Sequence, residues 1–174
     1  MAKSGAGKTT IAAELILRGA GLLADDVIAV EIIDGRPVVH PGPPLISLRT
    51  GPRRMFGTAA LERLGRSVGG EPGRVRLSVP RAEGSMPLRA LYLLEAGSSP
   101  TTVLEPWTAP DPVALLGGTF NFAIRDAQRL GRQLDTAAVI SHQVALMRVR
   151  IPPAANLREV AAQVLEHARR TDGR

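Results

Sequence analysis

The sequence predicts an α/β domain, and three observations carry that reading. A glycine-rich run, Gly5-Ala6-Gly7, opens directly onto a stretch with apolar residues at helical spacing. Two apolar runs then flank Asp34-Gly35, a pairing that favours a tight hairpin because glycine accepts the positive φ of the turn. Further on, strand-like runs at 88–94, 103–107 and 144–151 alternate with helical patterns at 112–133 and 154–169. With 174 residues, 44% of them hydrophobic, the chain reads as a single domain over residues 1–174 with a core of ordinary size.

Each element has a local cause. Ile11, Leu15 and the small alanines between them predict a helix over 8–18, with Gly19 as its stop. A short apolar run, Leu22-Leu23-Ala24, leads to Asp25-Asp26. The hairpin covers 27–40. Glycine and proline punctuate 41–84 so heavily that only 55–64 reads as helical. Asp111 before Pro112 suggests an N-cap for a helix over 112–133. The run 144–151 mixes apolar with basic residues, as a half-exposed strand does. Leu157, Val160, Ala161, Val164, Leu165 and Ala168 form one stripe of an amphipathic helix.

Composition narrows the function classes. The absence of cysteine excludes disulfides, thiolate metal sites and a cysteine nucleophile. His40, His142 and His167 are too scattered in sequence to suggest a zinc site. No apolar run approaches the ~20 residues that span a bilayer, and no signal-peptide core is seen, so a cytoplasmic protein without a membrane partner is expected. Tyr92, Trp107 and three phenylalanines are too few for base-stacking platforms, which argues against nucleic acid as a partner. Eight arginines against Glu62 and Glu71 between positions 49 and 81 account for the whole net charge of +6. An arginine-rich composition explains that segment slightly better than a docking site for an acidic partner or phosphate.

The chemistry concentrates near the start of the chain. Gly7-Lys8-Thr9 is the second half of the phosphate-loop pattern G-x-x-x-x-G-K-[ST]. The segment Ser4, Gly5, Ala6, Gly7, Lys8, Thr9 and Thr10 is therefore the candidate nucleotide-binding run. Its glycines let successive N–H groups turn towards a phosphate, at the positive end of the helix that begins near Lys8. Lys8 would bridge phosphate oxygens and the Thr9 hydroxyl would face Mg2+. Two departures stand out: Ala2 occupies the first glycine position, and only Met1 precedes it, so the anchoring strand is expected upstream of this start. Asp25 and Asp26 follow Lys8 by 17 and 18 positions. A helix and a short returning strand bring them back to the phosphate side, where one carboxylate could meet Mg2+ and the other accept a hydroxyl proton. Alone, an Asp-Asp pair is more often a solvated turn.

The run from Ser4 to Leu15, then Arg18-Gly19, then Leu22-Leu23-Ala24-Asp25-Asp26-Val27, resembles the catalytic domain of HPr kinase/phosphorylase. The likeness is greatest to the small HPr-kinase-related serine kinases of bacteria. The stretches 87–95 and 144–152 and the final helix look similar too, but the specific likeness is confined to the first 27 residues. That resemblance implies a P-loop NTPase-like fold, related to phosphoenolpyruvate carboxykinase, with its first strand missing. It also implies an Mg-ATP-dependent kinase that transfers the γ-phosphate to a serine-type hydroxyl of a protein or peptide. In it Asp26 would be the base, and Asp25 with Thr9 would lie at the metal, though the two aspartates are interchangeable on this evidence. The stretch Leu45-Ile46-Ser47-Leu48-Arg49-Thr50-Gly51 lacks the glutamate of the family's signature, which argues against phosphorolysis. A non-catalytic ATP-binding module, a truncated pseudokinase and a kinase of small metabolites remain the alternatives. A homo-oligomer is left open. Glu95 at a strand end and the Ser141-His142 pair read as structural.

Overall fold

The computed structural model describes residues 7–49, 56–108, 110, 115–116 and 126–172. Over these residues the chain is a mixed α/β protein built on three small sheets. Helix α1 (Lys8–Leu17) comes first and ends where Gly19 takes a φ of 95°. Strands β1 (Ala29–Ile33) and β2 (Arg36–His40) pair antiparallel across Asp34-Gly35, at φ 50° and 73°. Both central residues thus sit in the left-handed region that a two-residue hairpin of matching twist requires. The short strand β6 (Met86–Pro87) completes this sheet beside β2.

The stretch whose glycines and prolines hid its pattern holds a second sheet. Strand β3 (Leu45–Arg49), helix α2 (Thr58–Leu64), β4 (Arg66–Glu71) and β5 (Arg74–Ser78) follow in order, and β5 lies between β3 and β4. Gly73, at φ 84°, closes the β4–β5 hairpin. Period-2 alternation exists in β3 and β5: Ile46, Leu48 and Leu77 are buried while Arg49, Arg74 and Arg76 are exposed. Strand β4, in contrast, is exposed at every position and carries a bulge between Ser67 and Gly69.

In the third sheet, β7 (Ala90–Ala96) runs parallel to β9 (Ala145–Ile151), with β8 (Val103–Pro106) antiparallel on the other side of β9. Strand β9 is therefore central, and Leu146, Met147 and Val149 are buried, which corrects the half-exposed strand expected there. Its basic residues are accommodated locally: Arg150 pairs with Glu105 at 2.8 Å, and Arg148 lies over the Trp107 ring at 5.2 Å.

Helix α3 (Ala127–Gln143) corrects the 112–133 expectation. Asp126 is its N-cap, accepting the Gln128 N–H at 2.9 Å, and the helix continues ten residues past 133. Leu115 and Leu116 are helical, but Asp111 and Pro112 lie outside the described residues. The amphipathic reading of the last helix, α4 (Leu157–Asp172), corresponds to buried Val160, Ala161 and Val164.

Helix α1 links the cores. Ala13 and Ile16 pack with Ile46, Leu48, Leu64 and Leu77 beneath the second sheet. Ile11, with Leu15, packs instead against Leu94, Val149, Val160 and Val164 between the third sheet and α4. A helix buried on two sides is placed by both, and each fully buried aliphatic side chain contributes about 2 kcal/mol. A third cluster, Ala137, Ile140, Val144 and Leu146, seats α3.

Candidate functional site

Gly7 is the N-cap of α1, at φ 84°, with no side chain capping the helix. The first N–H groups of α1 therefore have no side-chain cap at the glycine-rich end, the arrangement in which an anion can serve as their acceptor. A Cβ on Gly7 would come within 3.0 Å of Leu157 Cδ1, so the start of α4 closes on this end of α1. Ser4, Gly5 and Ala6 lie outside the described residues. Lys8, Thr9 and Thr10 form the first turn of α1 and are half-buried.

The segment after α1 does not form the expected strand. Leu22 makes a single parallel bridge to Arg81, donating to Pro80 O at 3.1 Å, and Ala82 N–H donates to Leu22 O at 3.0 Å. Gly42 N–H donates to Leu23 O at 2.7 Å from the opposite side. Held between these two segments, the chain carries Asp25 back to the start of α1.

Asp25 is half-buried there and bridges three parts of the fold. The Ser47 backbone N–H donates to its Oδ2 at 3.2 Å, and the Thr9 hydroxyl lies near enough to the same carboxylate to lower its pKa. Lys8 and Asp26 are close enough to act on it electrostatically. Burial pushes the Asp25 carboxyl above the ordinary carboxylate value of 3.8; the Ser47 N–H opposes this, Asp26 adds to it, and Thr9 and Lys8 pull it back. Asp26 itself points into solvent and is exposed. The two neighbouring acids thus occupy different environments, one held against Thr9 and β3 and one free to meet a partner from outside.

Thr9 and Asp25 set a hydroxyl and a carboxylate oxygen side by side, the hard-oxygen donor set that Mg2+ takes. Among the described residues no group of three or more His, Cys, Asp or Glu gathers around a point. Protein oxygens here would therefore fill only part of a magnesium shell, leaving phosphate and water to complete it.

Elsewhere, Ser141 donates to Ala138 O at 2.7 Å within α3 and His142 is exposed, so that pair is local helix chemistry. Glu95 stands opposite Arg150 in the β7–β9 register. A contact absent from the sequence reading joins Ser85 to His40 Nδ1 at 2.8 Å and His40 Nε2 to Glu31 at 3.0 Å. Its glutamate side chain is 62% exposed, so the chain of bonds mainly ties β6 to β2 and β1 at the surface. A depression lined by Arg18, Leu165, Glu166 and Arg169 lies at the far end of α1 from Gly7. Comparison with protein-family models, curated proteins and solved structures finds no match.

Proposed function

We propose that this chain binds Mg-ATP at the start of α1 and transfers the γ-phosphate to a serine-type hydroxyl of a protein or peptide, as a P-loop kinase of the HPr-kinase-like kind. One observation carries the reading: Asp25, 17 positions from Lys8, comes back beside the Thr9 hydroxyl at the start of α1. In P-loop phosphotransfer sites an acid from elsewhere in the chain joins the loop hydroxyl at the metal, and Asp25 would supply it here.

In this reading the amides around Gly5–Gly7 and the Lys8 ammonium bind the β- and γ-phosphates. Thr9 and Asp25 would hold Mg2+, which supplies charge neutralisation between the phosphates. Asp26, exposed beside them, orients the acceptor hydroxyl and takes its proton. Ser47 N–H fixes the Asp25 carboxylate, so its orientation does not depend on the nucleotide. The likeness to HPr-kinase-related kinases in the first 27 residues supports the same assignment.

Binding of a fluorescent ATP analogue with Mg2+, together with phosphate transfer to a serine-peptide library, tests this. Lys8→Ala is expected to abolish binding, and Asp26→Asn to spare binding while stopping transfer. Undiminished nucleotide binding by Lys8→Ala, with no transfer by the wild type, would overturn the proposal and leave a non-catalytic module.

A further inference from the structure

Strands β3 and β5 turn one face to the core and the other to solvent, while β4 beside them is exposed throughout. The register sets Arg49 opposite Arg74, and Arg74 opposite Glu71. The next row places Ser47 opposite Arg76, with Gly69 beyond it. The row after that ends in Arg66, opposite Ser78. Since alternate residues share a face, Arg49, Arg66, Arg74 and Arg76 all lie on the outer side, and all four are exposed.

Two features distinguish this face from a scatter of surface charge. Arg49 and Arg74 are like charges directly across a strand pair, an arrangement that destabilises a sheet. Among the described residues, the ion pair on this face is Glu71 to Arg74, at 3.9 Å. In addition, the Arg76 row has only Ser47 and Gly69 as cross-strand neighbours, so no acidic side chain stands directly across from Arg76. That row leads across to Ser47, whose N–H holds Asp25.

We infer that this outer face is a docking surface for an acidic polypeptide segment, the stretch that flanks the acceptor hydroxyl; the inference rests on the phosphotransfer reading for that last role. Strands are spaced about 4.8 Å apart, so Arg76 lies one strand beyond the edge where Asp25 is fixed. An extended peptide advances about 3.3 Å per residue. With its hydroxyl at Asp26, the peptide therefore places carboxylates some two to four residues away over Arg76 and the Arg49–Arg74 pair. The arginine forks donate bidentately to carboxylates, and an acid there relieves the like-charge pair. Nucleic acid fits the face less well. It offers no aromatic side chain for stacking among its described residues, whereas Tyr92 and Trp107 belong to the third sheet and its flank.

The test is fluorescence anisotropy of labelled poly-L-glutamate against the full chain, at low and raised salt and without nucleotide. The triple variant Arg49→Gln/Arg74→Gln/Arg76→Gln is compared with Arg89→Gln/Arg132→Gln/Arg169→Gln, which removes the same charge from exposed positions elsewhere. The first variant is expected to weaken binding about tenfold or more, with the salt dependence reduced, and the second to stay within about twofold of wild type. Equal weakening by both, no weakening by either, or tighter binding of an oligothymidylate of equal charge would overturn the inference. Fluorescent-ATP binding is measured on the same samples. Loss of polyglutamate binding with nucleotide binding intact isolates the docking face. Polyglutamate binding without any nucleotide binding by the wild type leaves the face standing and removes the kinase reading.

Discussion

Asp25 accepts the backbone N–H of Ser47 from the free edge of β3, and that one hydrogen bond, at 3.2 Å, connects the acid to the sheet core. The same carboxylate lies near the Thr9 hydroxyl, which lowers its pKa. It is thus clamped between an edge strand and a helix start, with little freedom to turn away.

The clamp has a thermodynamic consequence. Because burial raises the Asp25 pKa in the folded chain above its unfolded value of 3.8, the folded state holds the extra proton between those values. Stability contributed by this carboxyl is present below about pH 3.8 and is lost as pH rises through the folded pKa. Asp25→Asn is therefore expected to raise Tm at neutral pH while abolishing phosphate transfer. A variant with lowered Tm at pH 7 would show that the carboxylate, not its neutral isostere, is what the fold requires.

Tyr92 offers an independent titration. Its hydroxyl is hydrogen-bonded to His167 Nδ1 at 2.8 Å, and burial pushes its pKa up to about 12 from 10.0. The folded chain then binds one more proton than the unfolded chain between these values, so stability falls as pH rises from about 10 to about 12. Tyr92 is the only tyrosine, so tyrosinate absorbance reports it alone. A midpoint near 10 in the folded protein would refute the buried environment.

Glu14 ties α1 to α4. Its side chain is only 5% exposed and meets Arg158 at 3.1 Å, with Arg18 at 3.9 Å. Glu14→Gln is expected to cost about 1–3 kcal/mol, because a buried acceptor loses its charged partners while the two arginines recover water. Urea unfolding measures this, and an unchanged midpoint would mean that the pair only balances its desolvation.

Gly7→Ala acts at the loop itself. A left-handed φ costs an alanine about 1–2 kcal/mol, and its Cβ would also meet Leu157 Cδ1 at 3.0 Å. Loss of stability in that range and loss of nucleotide binding are expected. Adding Leu157→Ala removes the collision but not the backbone strain, so nucleotide binding should stay impaired. Full recovery in the double variant would assign the whole effect to packing.

Some of this was legible along the chain. The helix from Lys8, the Asp34-Gly35 hairpin and the apolar stripe of α4 depend on neighbours within a few residues, and each shows its period or turn chemistry directly. Strands β3, β4 and β5 were harder to read, since Pro43, Pro44, Gly51 and Pro52 bracket the first, and Gly65, Gly69, Gly70, Pro72, Gly73 and Pro80 interrupt the other two. The start of α3 was misplaced for a related reason. Asp111-Pro112 and Asp126 both make reasonable caps, and local preference does not decide between them.

The sequence by itself determined an α/β chain with a glycine-rich helix start, a basic middle segment and an acidic pair 17 and 18 positions after Lys8. Only the tertiary structure decided that Asp25 turns in to Thr9 and Ser47 while Asp26 turns out. It also decided that Arg49, Arg66, Arg74 and Arg76 share one face of one sheet. Those outcomes arise from strand pairing and burial between distant segments, and no periodicity within a single segment encodes them.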